Sequence, residues 1–138
     1  MFREDYLMRL IHQLGDVIAR MAGLNRKGEH DPALEVADQV WGKLLDAPRA
    51  LIEAVDSATL AGMLREPAKI RAAAQLCREE GDALAALAGK ADPVHAQLRY
   101  RRALELVLAA RALEPSPDDE AMVLALSRRA PAGALDPR

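Results

Sequence analysis

The chain has 138 residues, of which 19 are basic and 21 acidic, and its net charge at pH 7 is −2. This near-balance gives no electrostatic reason to expect a nucleic-acid partner, which calls for basic residues gathered on one face. Hydrophobic residues make up 51% of the chain but aromatic residues only 3%. Because leucine and alanine favour helices while aromatic and β-branched residues favour strands, this composition predicts a helical protein.

The first third of the chain predicts two amphipathic helices that pair as an antiparallel hairpin. Apolar residues recur at steps of three and four over residues 3–22. Gly23 and the polar residues 25–30 end this helix, and Asp31-Pro32 begins the next one with a cap and a proline at the first helical position. The inner faces are predicted to be Leu7, Leu10, Ile11, Leu14, Val17, Ile18 and Met21, and then Ala33, Leu34, Ala37, Val40, Trp41, Leu44 and Leu45.

Two short helices and two long ones are predicted in the remainder. The short helices cover the apolar segments 50–55 and 58–64, the second of them capped by Asp56-Ser57. Long helices are predicted over residues 68–88 and 94–113. Within the first of these, Gly81 costs about 1 kcal/mol relative to alanine, so a kink or a close helix contact is expected there.

Asp118-Asp119-Glu120 begins a last helix. We expect residues 1–130 to form a single all-helical domain. Residues 131–138 have no apolar periodicity, so we expect a disordered tail there. No segment predicts a strand.

Small residues one and two turns apart mark the helix of residues 94–113, which ends before a proline. They are Ala103, Val107 and Ala110, followed by Pro115. This spacing resembles the second helix of a tetratricopeptide repeat. A similar pattern at residues 33–40 lies about two repeat periods earlier, each period being ~34 residues.

The resemblance implies an all-α, tetratricopeptide-like superhelix of two helical hairpins, with a short-helix insert and a C-terminal helix. It covers about half of the chain, chiefly the second helices, because the family's Trp-x-x-Leu-Gly-x-x-Tyr arrangement is absent before Ala103. The opening residues 2–11 are also similar to the start of an uncharacterised bacterial family with such hairpins. An unrelated helical bundle is the alternative fold.

Residues suited to catalysis or metal binding are few. His12 and Asp16 lie one turn apart, but no His-x-x-x-His or Glu-x-x-His spacing occurs, and His30 and His95 lie at loop–helix junctions. Cys77 belongs to an apolar stripe and is predicted to pack there. Glycine-rich phosphate loops and the Gly-x-Ser-x-Gly motif are absent. We therefore predict no enzyme, no cofactor and no metal.

The single cysteine rules out an intrachain disulfide, so the fold needs no oxidising compartment. Charges interrupt the first residues where a signal peptide would carry an apolar core. No stretch approaches the ~20 uninterrupted apolar residues of a membrane span. We expect a cytoplasmic protein that binds no membrane.

An interaction surface is the remaining functional candidate. The apolar stripe of the first helix is broad for two hairpins to cover, which favours self-association or partner binding. The densest basic cluster, residues 99–102, can grip a carboxylate or phosphate, although solvated arginines are the simpler interpretation. Trp41, the only tryptophan, is expected in the core; if exposed, it would suit a partner contact. The surface is predicted to include Leu10, Ile11, Arg99 and Arg102.

We therefore predict a protein-interaction or scaffold module that binds an unknown partner or a second copy of itself through apolar helix faces. The alternative is an enzyme or ligand-binding helical protein whose site is assembled from His12, Asp16 and His95. A nucleic-acid regulator is disfavoured by the charge balance.

Overall fold

The structure, a computed structural model, describes residues 2–45, 49–89 and 93–129, and seven α-helices hold most of them. This part of the chain contains no β-strand, which confirms the predicted all-α class. The predicted tail 131–138 and the side chains of Leu44 and Leu45 lie outside what is described. The helices are α1 (Phe2–Arg26), α2 (His30–Leu45), α3 (Arg49–Ala54), α4 (Ser57–Leu64), α5 (Pro67–Ala88), α6 (Val94–Leu113) and α7 (Asp119–Ser127).

α1 is longer than its sequence pattern predicts. Gly23, expected to end it, is helical, and the helix continues to Arg26. The chain turns instead at Gly28, whose φ of 79° lies in the left-handed region that glycine adopts without strain. Asn25 supports the extra turn, because its Nδ2 donates to the backbone oxygen of Glu79 at 3.0 Å. The predicted loop is therefore partly the last turn of a helix.

Two helix pairs form the body of the molecule. α1 pairs with α2 across a short turn, and α5 pairs with α6. α5 also packs against α1 and α2, so it is the helix that joins the two pairs. α1 and α5 run in the same direction: Arg3 Nη2 lies 3.7 Å from Glu66 Oε1 near their beginnings, whereas Asn25 contacts Glu79 further along both.

Small residues let α5 and α6 approach each other closely. A Cβ added to Gly81 would lie 2.7 Å from Cε1 of Tyr100, inside any real carbon–carbon contact. The close helix contact expected at Gly81 is confirmed, and α5 is continuous through it. The two helices are antiparallel, since Arg71 of α5 donates to the backbone oxygen of Glu114 just beyond the end of α6. The fully buried alanines of this pair are Ala73, Ala74, Ala83, Ala103 and Ala110.

The core is mostly aliphatic, as the composition predicts. Trp41 is buried with it, which confirms its expected place on the inner side of α2. None of the described helices is long and apolar enough to cross a lipid bilayer. The large side chains that are fully buried include Met21, Leu60, Leu64, Ile70, Leu76, Leu104, Leu106 and Leu126.

Of the shorter helices, α3 packs against α2, and α4 and α7 pack on the α5–α6 pair. α4 contacts both helices and is capped as predicted, with Asp56 Oδ1 accepting the backbone N–H of Thr59 at 2.7 Å. α7 packs against α6. Its first residue, Asp119, accepts two hydrogen bonds from the Arg71 guanidinium, each of 2.9 Å. This bidentate pair attaches α7 to α5 as well.

Candidate functional site

A groove of about 950 Å³ lies along one face of α6. Its opposite wall is formed by the last turn of α3 and the first turn of α4. The residues that α6 contributes recur at three- and four-residue steps, as one helix face requires. We call it the α4–α6 groove; its lining is Glu53, Asp56, Ser57, Ala58, His95, Leu98, Arg99, Arg101, Arg102, Glu105, Leu108 and Ala109.

The groove has apolar positions between its charges. Leu98, in the second turn of α6, is 50% exposed. Leu108 and Ala109, further along the same face, are half-buried and pack against the core. Apolar side chains set among polar ones, in an open groove, can receive an apolar side chain of another molecule.

Arg102, predicted to belong to an interaction surface, makes internal contacts. Its Nη1 donates to the backbone oxygen of Ile52 at 2.9 Å, and its Nη2 donates to that of Val55. These carbonyls lie at the end of α3, where a helix has no intrahelical donors left. Arg102 therefore caps α3, and its guanidinium lies in the groove wall.

Arg99 also points into the fold, toward a buried carboxylate. Its Nη2 donates to Glu53 Oε1 at 3.2 Å, and its Nε lies 3.8 Å from Glu80 Oε1. Glu80 is only 2% exposed. Its two oxygens accept from Trp41 Nε1 at 3.1 Å and from Arg49 Nη2 at 2.7 Å. We call these five residues the Glu80 cluster.

Most remaining charges of the groove are paired. Arg101 Nε lies 3.5 Å from Glu105 Oε2, and Ser57 Oγ donates to the other oxygen of Glu105 at 2.7 Å. A hydrogen bond from Arg49 lowers the pKa of Glu53, and the backbone N–H of Thr59 lowers that of Asp56. Both carboxyls are therefore held in the charged form, which suits binding and capping better than general-acid chemistry.

Leu10 lies in a second groove, between α1 and α2, with a volume of about 420 Å³. Ile11, its neighbour in the prediction, is half-buried and packs partly against the core. This α1–α2 groove shares no lining residue with the α4–α6 groove. The four predicted residues thus do not form one surface. The lining is Leu10, Gln13, Leu14, Asp16, Val17, Arg20, Val36, Gln39, Val40 and Lys43.

The three residues of the alternative ligand site are not brought into one pocket. Asp16 lines the α1–α2 groove and His95 the α4–α6 groove, while exposed His12 lines neither. Across residues 2–45, 49–89 and 93–129, no three His, Cys, Asp or Glu side chains are grouped to hold a metal ion. Cys77 is buried as expected, and burial raises the pKa of its thiol, which keeps it unreactive.

A polar cluster that sequence reasoning missed joins α1 and α2 to α5. Asn25 Nδ2 donates to both the backbone oxygen and Oε1 of Glu79, at 3.0 Å each. Its Oδ1 must then accept, so His30 Nδ1 donates to it at 2.9 Å. Burial raises the pKa of Glu79. No local signal could have revealed this cluster, because Asn25 and Glu79 are 54 positions apart.

The comparison with known proteins adds no relative from which a function could be carried over. No protein-family model matches this chain, and neither a curated protein nor a solved structure is significantly similar to it.

Proposed function

We propose that this chain is a protein-interaction module whose α4–α6 groove receives an apolar side chain from a partner protein. The observation that carries the proposal is Leu98, which is half-exposed and lines a groove of about 950 Å³. Its neighbouring arginines hold the groove walls in place through Glu53 and the carbonyls of α3. The α6 side of the groove is one face of a 20-residue helix, so it is already ordered and loses little conformational entropy on binding.

We infer that the helices form a tetratricopeptide-like superhelix. The parallel course of α1 and α5 supports this, as each would be the first helix of a hairpin. So do the buried small residues Ala103 and Ala110 on α6. The short helices α3 and α4 would then be an insert between two repeats. A cytoplasmic location, supported by the single cysteine of the chain, completes the proposal.

We also propose a second contact, with another copy of the chain, through α1. Tyr6 is strongly exposed on its first turns, and half-buried Leu10, one turn further along the same helix face, lines the α1–α2 groove. Large apolar side chains near an open groove favour association of helix faces.

Capture from a lysate of the source cell tests the partner groove. We expect proteins retained by the immobilised wild-type chain to be lost with Leu98→Glu, because a carboxylate would be desolvated against the apolar lining. Leu124→Glu is the matched control: Leu124 is 56% exposed on α7 and does not line the groove. Circular dichroism should show both variants folded.

Two results would contradict the proposal. Retention of the same proteins by wild type and Leu98→Glu would show that the groove is not the binding surface. Equal loss with Leu98→Glu and Leu124→Glu would mean that added negative charge alone prevents capture.

A further inference from the structure

α3 is held in place by polar contacts rather than by a large apolar face. It has six residues, and Ile52 is its only buried one. Helices shorter than about 12 residues are marginal in water, so α3 depends on docking for its helical form. Segments with few buried apolar contacts open at the low end of the local stability range.

Polar contacts join α3 to the other members of the Glu80 cluster, which are Glu80, Trp41 and Arg99, and to Arg102. Arg49 donates to Glu80 at 2.7 Å, and its guanidinium carbon lies 5.7 Å from the centre of the Trp41 ring. Arg102 caps the end of α3 through two carbonyls, which any helix end would offer. We call the surface under α3, formed by Glu80, Trp41, Arg99 and Arg102, the socket. It accepts a helix terminus, a cation and one aliphatic side chain.

The socket cannot remain empty without cost. With α3 in place Glu80 is 2% exposed; without α3 its carboxylate would be uncovered and would keep only the Trp41 N–H at 3.1 Å and the more distant Arg99. It would lose the charge-assisted hydrogen bond from Arg49, its nearest cation. The open socket thus favours any helical segment that restores the cation.

We propose that α3 is a displaceable strap and that its socket binds a helical segment of a partner protein carrying an arginine three residues before an aliphatic residue. Arg49 and Ile52 set this spacing, which places both side chains on one helix face. The inference rests on the proposed function and names the kind of partner. Arg99 lines the α4–α6 groove and also contacts α3 through Glu53, so displacement of α3 extends that groove.

Hydrogen exchange tests whether the strap opens. We expect amides of residues 49–54 to exchange at least about tenfold faster than those in the middle of α5 and α6. Arg49→Ala should raise exchange at 49–54 further and shift the fluorescence of Trp41. Arg3→Ala, which removes an exposed pair on α1, should change neither. Exchange at 49–54 as slow as in α5 would overturn the strap.

A binding assay tests the socket itself. The probe is a fluorescein-labelled peptide of residues 49–56 with blocked ends. We expect it to bind the Arg49→Ala chain about tenfold more tightly than wild type, where the tethered α3 competes at millimolar effective concentration. The same peptide with Arg49→Glu should not bind. Equal binding of both peptides, or no binding to the Arg49→Ala chain, would overturn the proposal.

The two proposals fail separately. If the peptide does not bind but Leu98→Glu still abolishes capture, the groove stands and only the socket is rejected. If the peptide binds but Leu98→Glu captures the same proteins as wild type, the socket stands without the partner groove.

Discussion

Glu80 and Gly81 are neighbours in α5 and are both buried, for unrelated reasons. Gly81 is buried because the Tyr100 ring occupies the space of its missing side chain. A glycine within a helical pattern indicates such a contact, so this could be predicted. The partners of Glu80 could not, because Arg49 and Trp41 lie 31 and 39 positions away and nothing in the local pattern marks them.

Substitution of Gly81 tests the close packing of α5 on α6. Gly81→Ala should lower the free energy of unfolding by about 1–3 kcal/mol, the usual cost of overpacking, because the new Cβ meets the Tyr100 ring at 2.7 Å. Urea denaturation followed by circular dichroism measures it.

Gly15→Ala is the control for helix propensity. Gly15 lies inside α1 with nothing within 4 Å of an added Cβ, so alanine should raise stability by about 0.5–1 kcal/mol. Stabilisation by Gly81→Ala would mean that Tyr100 moves aside freely, against the packing described.

At the scale of elements, periodicity and end signals predict the helices in their correct order. The side-chain contacts that hold the elements together are not in that pattern. α7 illustrates this, since its apolar residues predict a helix but the bidentate pair between Arg71 and Asp119 spans 48 positions. The same holds for α3, whose arginine contacts place it in the groove wall.

The attachment of α7 should depend on pH. Hydrogen bonds from Arg71 lower the pKa of Asp119, so the charged form favours the folded state. This stabilisation is fully present above the ordinary aspartate pKa of about 3.9 and is lost as the pH falls through the lower folded value. Asp119→Asn should therefore destabilise the chain at neutral pH, as urea unfolding measures, and its effect should shrink at acidic pH as the wild-type carboxylate becomes protonated.

Asp118→Asn is the matched control, because Asp118 is exposed and makes no capping hydrogen bond. Its effect on stability should be small at both pH values. An Asp119→Asn effect that did not change with pH would point to packing rather than to the charge of the carboxylate.

For the whole molecule, composition and periodicity predict the all-α class and the two successive helix pairs. The functional surface is harder to predict, because exposure depends on how the pairs pack. Leu10 and Arg99 are residue types suited to a partner contact, but they line different grooves. Arg99 is moreover paired with Glu53 and Glu80 inside the molecule. Leu98, which was not among the predicted residues, is the exposed large apolar side chain of the α4–α6 groove.

Self-association through α1 is a prediction about the assembled molecule. We expect the wild-type chain to sediment as a dimer at micromolar concentration and Tyr6→Glu to weaken the dimer at least about tenfold, since a buried charge would oppose the contact. Leu113→Glu, at a residue 62% exposed against 65% for Tyr6, should leave the dimer intact. A wild-type monomer at every concentration would contradict it.

Cys77 of α5 is buried, and the chain has no other cysteine. Burial raises the pKa of the Cys77 thiol, and only the ionised sulfur attacks alkylating reagents. Maleimide dyes should therefore not label Cys77 in the folded protein. A cysteine introduced on any outer helix face can then take a single fluorophore without first replacing the natural one. Cysteines introduced on α3 and α7 can therefore be labelled for distance measurements without any substitution in the core.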